Sequence, residues 1–134
     1  QIGNISRGGY VLRDSSGDPD AILIATGSEV ALAVAAAERI AGDGIDTRVV
    51  SMHCTSVYES QDAEYRDAVL PPGVSARVVI EAGSTGAWWR HAGSSGEVIG
   101  IDRFGKSAPA GELFEYFGFT VDNVVDTTKR IVTK

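Results

Sequence analysis

Apolar residues in this chain form two kinds of pattern, unbroken runs and helical stripes, and the two alternate. Three runs stand out: Ala21-Ile22-Leu23-Ile24-Ala25, Thr47-Arg48-Val49-Val50-Ser51-Met52 and Ala76-Arg77-Val78-Val79-Ile80, with a shorter one at Val98-Ile99-Gly100-Ile101. They are rich in β-branched residues and lack period-two alternation, which predicts strands buried on both faces, as in parallel sheets. Starts at 21, 47, 76 and 97 suit strand–helix–strand units of about 30 residues. Gly8 to Arg13 alternates instead, which predicts an additional edge strand before a turn at Ser15-Ser16-Gly17-Asp18-Pro19.

Helical patterns fill the gaps. From a Ser28 cap, Val30, Val34, Ala37 and Ala41 share one face up to Gly42 or Gly44. Gln61 to Leu70 predicts a short helix closed by Pro71-Pro72-Gly73, and a further helical turn carries Trp88 and Trp89. Pro109 opens a helix through Phe117, and a last one runs from Thr120 with Val121, Val124, Val125, Thr128 and Val132 on one stripe. The expected architecture is α/β: a three-layer, mostly parallel five-stranded sheet with helices on both faces and one antiparallel edge strand.

Composition narrows the function classes. A length of 134 residues fits one domain. Twelve Lys and Arg against eighteen Asp and Glu give a net charge of −6, the wrong balance for a nucleic-acid or anionic-membrane binder. The longest apolar run, Val30 to Ala37, is far short of a membrane span. A single cysteine, Cys54, leaves no internal disulfide and points to a reducing compartment. The chain opens Gln1-Ile2-Gly3-Asn4, without an initiator Met or a secretory leader, so a soluble piece of a longer polypeptide is expected. The 16 glycines mark strand–helix turns and helix ends at Gly27, Gly42, Gly44, Gly83, Gly105 and Gly118.

Several positions carry candidate chemistry. Gly100 to Ser107 matches the phosphate-loop pattern G-x-x-x-x-G-K-[ST]. Asp102 sets a carboxylate where phosphate would lie, however, and Pro109 removes a helix-end donor, so a strand-to-helix turn is the better reading. Thr26-Gly27-Ser28-Glu29 holds a dinucleotide-loop position with one glycine, and Glu29 already satisfies the helix end. His53-Cys54 follows a strand at the carboxyl edge, but neither chelate nor nucleophile geometry follows from adjacency. Ser28, Glu81, Lys106 and Ser107 mark a ligand or anion edge where open α/β sheets place ligands. Trp88 and Trp89 point about 100° apart on a helix, so one of them suits an interface.

Arg7-Gly8-Gly9-Tyr10-Val11-Leu12, Ile24-Ala25-Thr26-Gly27-Ser28-Glu29-Val30, Arg48-Val49-Val50-Ser51-Met52, Gln61-Asp62-Ala63-Glu64-Tyr65-Arg66, Glu81-Ala82-Gly83, Phe104-Gly105-Lys106-Ser107-Ala108-Pro109 and Leu113 to Val121 together resemble the C-terminal domain of transketolase, in matching order. The resemblance implies residues 1–8 as the end of an interdomain linker and 9–134 as the domain. It implies a parent enzyme, dependent on thiamine diphosphate and Mg²⁺, that moves a two-carbon ketol unit between ketose and aldose phosphates in the pentose phosphate pathway. The implied parent is a cytoplasmic homodimer whose N-terminal and middle domains supply the cofactor site and the catalytic His and Arg residues. No catalytic, cofactor-binding or metal-ligating residue is therefore carried over, and the segment is expected to be inactive alone. Its implied role is structural, dimer-forming or regulatory; the alternative is an independent small-ligand or anion-binding module. One departure is His53, which stands where the family usually has proline.

Overall fold

The apolar runs form strands, and the most apolar of them takes the centre. In the computed structural model, which describes residues 7–27, 29–81, 89–93, 96–100 and 120–132, the strands are β1 (Gly9–Arg13), β2 (Ala21–Ala25), β3 (Thr47–Met52), β4 (Arg77–Glu81) and β5 (Glu97–Gly100). They hydrogen-bond in the order β1-β3-β2-β4-β5. Every residue of β2 and β3 is buried, as unbroken apolar runs require when both faces of a sheet are covered. The pairs β2–β3, β2–β4 and β4–β5 are parallel, with Leu23 beside Val49 and Val78, and Ile80 beside Ile99. Edge strand β1 runs antiparallel to β3, Gly9 opposite Met52, with a bulge between Val11 and Arg13. A bulge and a terminal charge blunt an open edge against unwanted pairing.

Helices cover both faces. On one lie α1 (Glu29–Ala41) and the C-terminal helix α5 (Val121–Val132). Leu23, Ala25, Val49, Val78, Ile80 and Ile99 of the sheet pack there against Ala33, Ala36, Ala37, Ile40, Val124, Val125 and Ile131. Small alanines let the α1 backbone approach the sheet closely. Arg39 pairs with Asp122, and Lys129 reaches Asp43 at 2.7 Å, tying the two helical segments together at the surface. The Lys129 bond holds the Asp43 carboxyl below its ordinary pKa.

Three short helices cover the other face: α2 (Thr55–Glu59), α3 (Ala63–Val69) and α4 (Trp89–Ala92). Val11, Ile22, Ile24, Val50, Met52 and Val79 meet Tyr58, Tyr65, Val69, Leu70 and Ala92 there. Asp62 caps α3, its carboxylate accepting the Tyr65 N–H at 2.8 Å. Tyr65 Oη donates to the Gly9 carbonyl at 2.6 Å, and the Arg7 guanidinium stacks over its ring at 4.6 Å. Gly8 has φ +84, and a Cβ there would sit 2.5 Å from the Tyr58 nitrogen, so only glycine fits this passage.

The structure corrects the sequence expectations in detail. The stripe of α1 facing the core is Ala33, Ala36, Ala37 and Ile40, not Val30, Val34, Ala37 and Ala41; Ala41 is exposed and both valines are half-buried. Bulky Ile40 outweighs Ala41 in choosing the buried face. Helix α2 was not expected, and α3 is shorter at both ends than Gln61 to Leu70. On α5, Thr127 and Ile131 join the buried set, while Val121 and Val132 are half-buried. The expected helix from Pro109 to Phe117, and the Gly100–Ser107 loop beyond its first residue, lie outside the described residues.

Candidate functional site

Parallel strands end together, so the carboxyl edge gathers the Thr26–Gly27 turn, His53, Cys54, Glu81 and Gly100. Glu81 is the one position of the expected anion edge that falls among the described residues. It is half-buried, closes β4 and pairs in register with Gly100. Ser28, Lys106 and Ser107 lie outside the described residues, as does Trp88; Trp89 opens α4, though its side chain is outside the description. Glu29 is 5% exposed at the start of α1, and its N–H donates to the Thr26 carbonyl. A buried carboxylate at the positive end of that helix opposes a diphosphate there.

Cys54 and the imidazoles are not assembled into a nucleophile and base. The Cys54 sulfur lies 3.5 Å from the Ser56 hydroxyl, which holds the thiol below its ordinary pKa. His53 is exposed and edge-on to Tyr10 at 6.3 Å. His91 is buried on α4, its Nε2 3.8 Å from a Glu59 carboxylate oxygen and its ring 6.1 Å from Tyr58. Among the described residues no group of three His, Cys, Asp or Glu side chains is placed to hold a metal ion.

A more developed constellation lies on the face covered by short helices. A cavity of about 430 Å³ opens there, lined by Tyr58, Glu59, Arg66, Asp67, Arg77 and His91 among others. Arg77, at the start of β4, organises its wall. Its Nε donates to Val74 O at 2.9 Å, Nη1 to His91 O at 3.1 Å, and Nη2 to Pro71 O at 2.9 Å and Leu70 O at 3.3 Å. One side chain thus ties the loop after α3 to the end of α4. Burial lowers the Arg77 pKa from its ordinary value, because the cation has lost water. Tyr58 Oη donates to Arg66 O at 2.8 Å, and burial pushes that phenol up to about 12.

A second buried arginine has a different electrostatic setting. Arg48, 8% exposed within β3, donates Nε to Asp14 Oδ1 at 2.9 Å and Nη1 to Ala68 O and Val69 O. Its charge is met by a carboxylate, although it too borders a cavity, of about 410 Å³. Neither arginine was singled out as functional from the sequence. The signal available was an arginine inside an otherwise apolar strand run, which marks either a misplaced strand or a guanidinium with buried partners.

The model of the transketolase-like C-terminal domain family matches residues 8–120. Transketolase 2 of Vibrio parahaemolyticus is 54% identical over 132 residues, covering 98% of this chain and 20% of that protein. Transketolase 1 of Escherichia coli K12 shows the same identity and coverage. Among solved structures, transketolase from Leishmania mexicana superimposes with a TM-score of 0.88 at 39% identity, covering 96% of this chain and 18% of that one. The chain spans about a fifth of the length of these relatives.

Proposed function

Because the chain belongs to the transketolase C-terminal domain family, we propose that it serves as the third domain of a transketolase, within a parent that transfers a two-carbon ketol unit between ketose and aldose phosphates. The observation carrying this reading is the asymmetry of the match: nearly the whole chain aligns, against one fifth of each relative. Residues 1–8 then end an interdomain linker and 9–134 form the domain. A related transketolase from Pichia stipitis has been solved in complex with sedoheptulose-7-phosphate, in keeping with a sugar-phosphate substrate class. The parent works in the cytoplasm as a homodimer, with its N-terminal and middle domains and its second subunit as partners of this segment.

Thiamine diphosphate and Mg²⁺, when bound to the parent, supply the carbanion chemistry of ketol transfer. The described residues do not fit that group. The N-terminal end of α1, where a dinucleotide fold would seat a diphosphate, carries buried Glu29. In this reading the segment contributes framework and contacts, and the rest of the parent supplies the chemistry.

Two measurements test the reading. The 134-residue chain, supplied with thiamine diphosphate and Mg²⁺, is expected to show no ketol transfer; turnover above background overturns its inactivity. The intact mass of the gene product in its source is expected to be several times 14.1 kDa. A native product of that smaller mass would remove the parent enzyme from the argument.

A further inference from the structure

Two arginines with no carboxylate partner among the described residues line one cavity. Arg39, Arg48 and Arg130 each reach a carboxylate, of Asp122, Asp14 and Glu97 respectively. Arg66 and Arg77, which line the same cavity of about 430 Å³, have no carboxylate within ion-pair distance among the described residues. Arg66, exposed on α3, donates Nε to the Gln61 carbonyl at 3.1 Å, which leaves its two terminal nitrogens without a hydrogen bond among the described residues. For Arg77 the guanidinium is half-buried and held by four carbonyl bonds.

Carbonyl dipoles satisfy hydrogen bonds, yet they do not cancel a net charge. A cation removed from water without a counter-ion keeps a large unmet attraction for an anion. A guanidinium has five N–H donors, so one Nη1–H of Arg77 remains beyond the four carbonyl bonds. His91 also lines this space, its Nε2 turned to Glu59 at 3.8 Å.

We infer that the groove between α3, β4 and α4 is a binding site for a small phosphate-class anion, with Arg77 as its fixed charge and Arg66 as its mobile clamp. Planar guanidinium groups match the oxygens of phosphate in forked pairs. The rigid Arg77 is already oriented by its carbonyls, so little ordering entropy is lost at that anchor when an anion arrives. Two carboxylates share the cavity. Glu59 lies over the imidazole at 3.8 Å, and Asp67 is exposed. Their repulsion favours an ion that presents one phosphate over a polyanion. This site is separate from the carboxyl edge, where Glu81 and Glu29 concentrate negative charge.

The test is titration of the isotope-labelled chain with inorganic phosphate, and separately with phenyl phosphate, read by amide and side-chain NMR at constant ionic strength. Saturable shifts are expected at Tyr58, Arg66, Arg77 and His91. Arg66→Gln should weaken binding about tenfold, as loss of one charge-assisted fork implies. Arg66→Lys, which keeps the charge, should retain most of it, so a fold defect in the first variant cannot mimic the result. Arg39→Gln removes the same charge from the opposite face and should leave binding unchanged. Tighter binding of phenyl phosphate identifies an organic phosphate as the ligand; equal binding identifies the free ion. Absence of saturable shifts in the groove, reproduction of them by chloride, or equal weakening by Arg39→Gln overturns the site. Because the readout is binding and not turnover, its failure leaves membership of the transketolase family untouched.

Discussion

The two faces of this sheet solve the same packing problem by different means. One is sealed by two long helices whose inward residues are Ala, Val and Ile, with ion pairs confined to the surface. The other is sealed by three helices of four to seven residues. Helices that short have little stability of their own, so tertiary bonds from Tyr58, Tyr65, Arg48 and Arg77 to backbone carbonyls hold them. The first face is built from shape and apolar area, the second from long polar side chains that reach across elements. Among the described residues, the cavities of about 430 and 410 Å³ and buried Arg48 lie on the second, where polar tethers fill space less completely than interdigitated aliphatic groups.

That contrast can be broken most directly on the apolar face. Ile40→Ala removes a fully buried side chain and should cost about 3 kcal/mol, with an unchanged denaturant slope. A cost below about 1 kcal/mol would show that α1 collapses onto the sheet and the face is not close-packed. On the tethered face, Arg77→Met strips the donor from four carbonyls and should cost about 2 kcal/mol, with hydrogen-exchange protection lost first around α4 and residues 70–74. Uniform loss of protection across both faces would contradict the local role of that tether.

A pH experiment sharpens the same comparison. The Tyr58 phenol titrates near 10 when unfolded and near 12 when folded. Its contribution is complete below pH 10 and declines as pH rises towards 12, by up to ~2 kcal/mol. Tyr58→Phe should therefore flatten the alkaline fall in stability over that interval, as measured by urea midpoints at stepped pH. An unchanged slope would place the titration elsewhere. The smallest expected effect is Asp62→Ala, which removes the α3 cap and should cost about 1 kcal/mol, against almost nothing for Glu38→Ala on exposed α1 surface.

Legibility in the sequence follows the same division. The strands and both long helices were readable because their burial is written in local periodicity. Even so, the α1 stripe is set by Ile40, whose bulk has to be weighed against a row of near-equivalent alanines. Helix α2 has no apolar period within Thr55-Ser56-Val57-Tyr58-Glu59 and owes its place to Tyr58 and to the Gly8 passage. The carboxyl edge was named from topology, and Glu81 does stand there. The arginine groove could not be read in advance, because the four carbonyls around Arg77 come from residues up to 14 positions away, on a loop and a separate helix. Spacing along a chain carries no record of such encounters.

The reversed first strand has a geometric consequence for any larger protein that contains this domain. Since β1 runs against its neighbours, its first residue, Gly9, lies beside Met52 at the end where the parallel strands finish. The start of β1 thus lies at the pole of His53 and Glu81. A parallel first strand would have begun at the opposite pole, near Arg48 and Asp20. In a larger protein that held a segment before this domain, that segment and any occupant of the crevice where α/β sheets ordinarily receive their ligands would share one doorway.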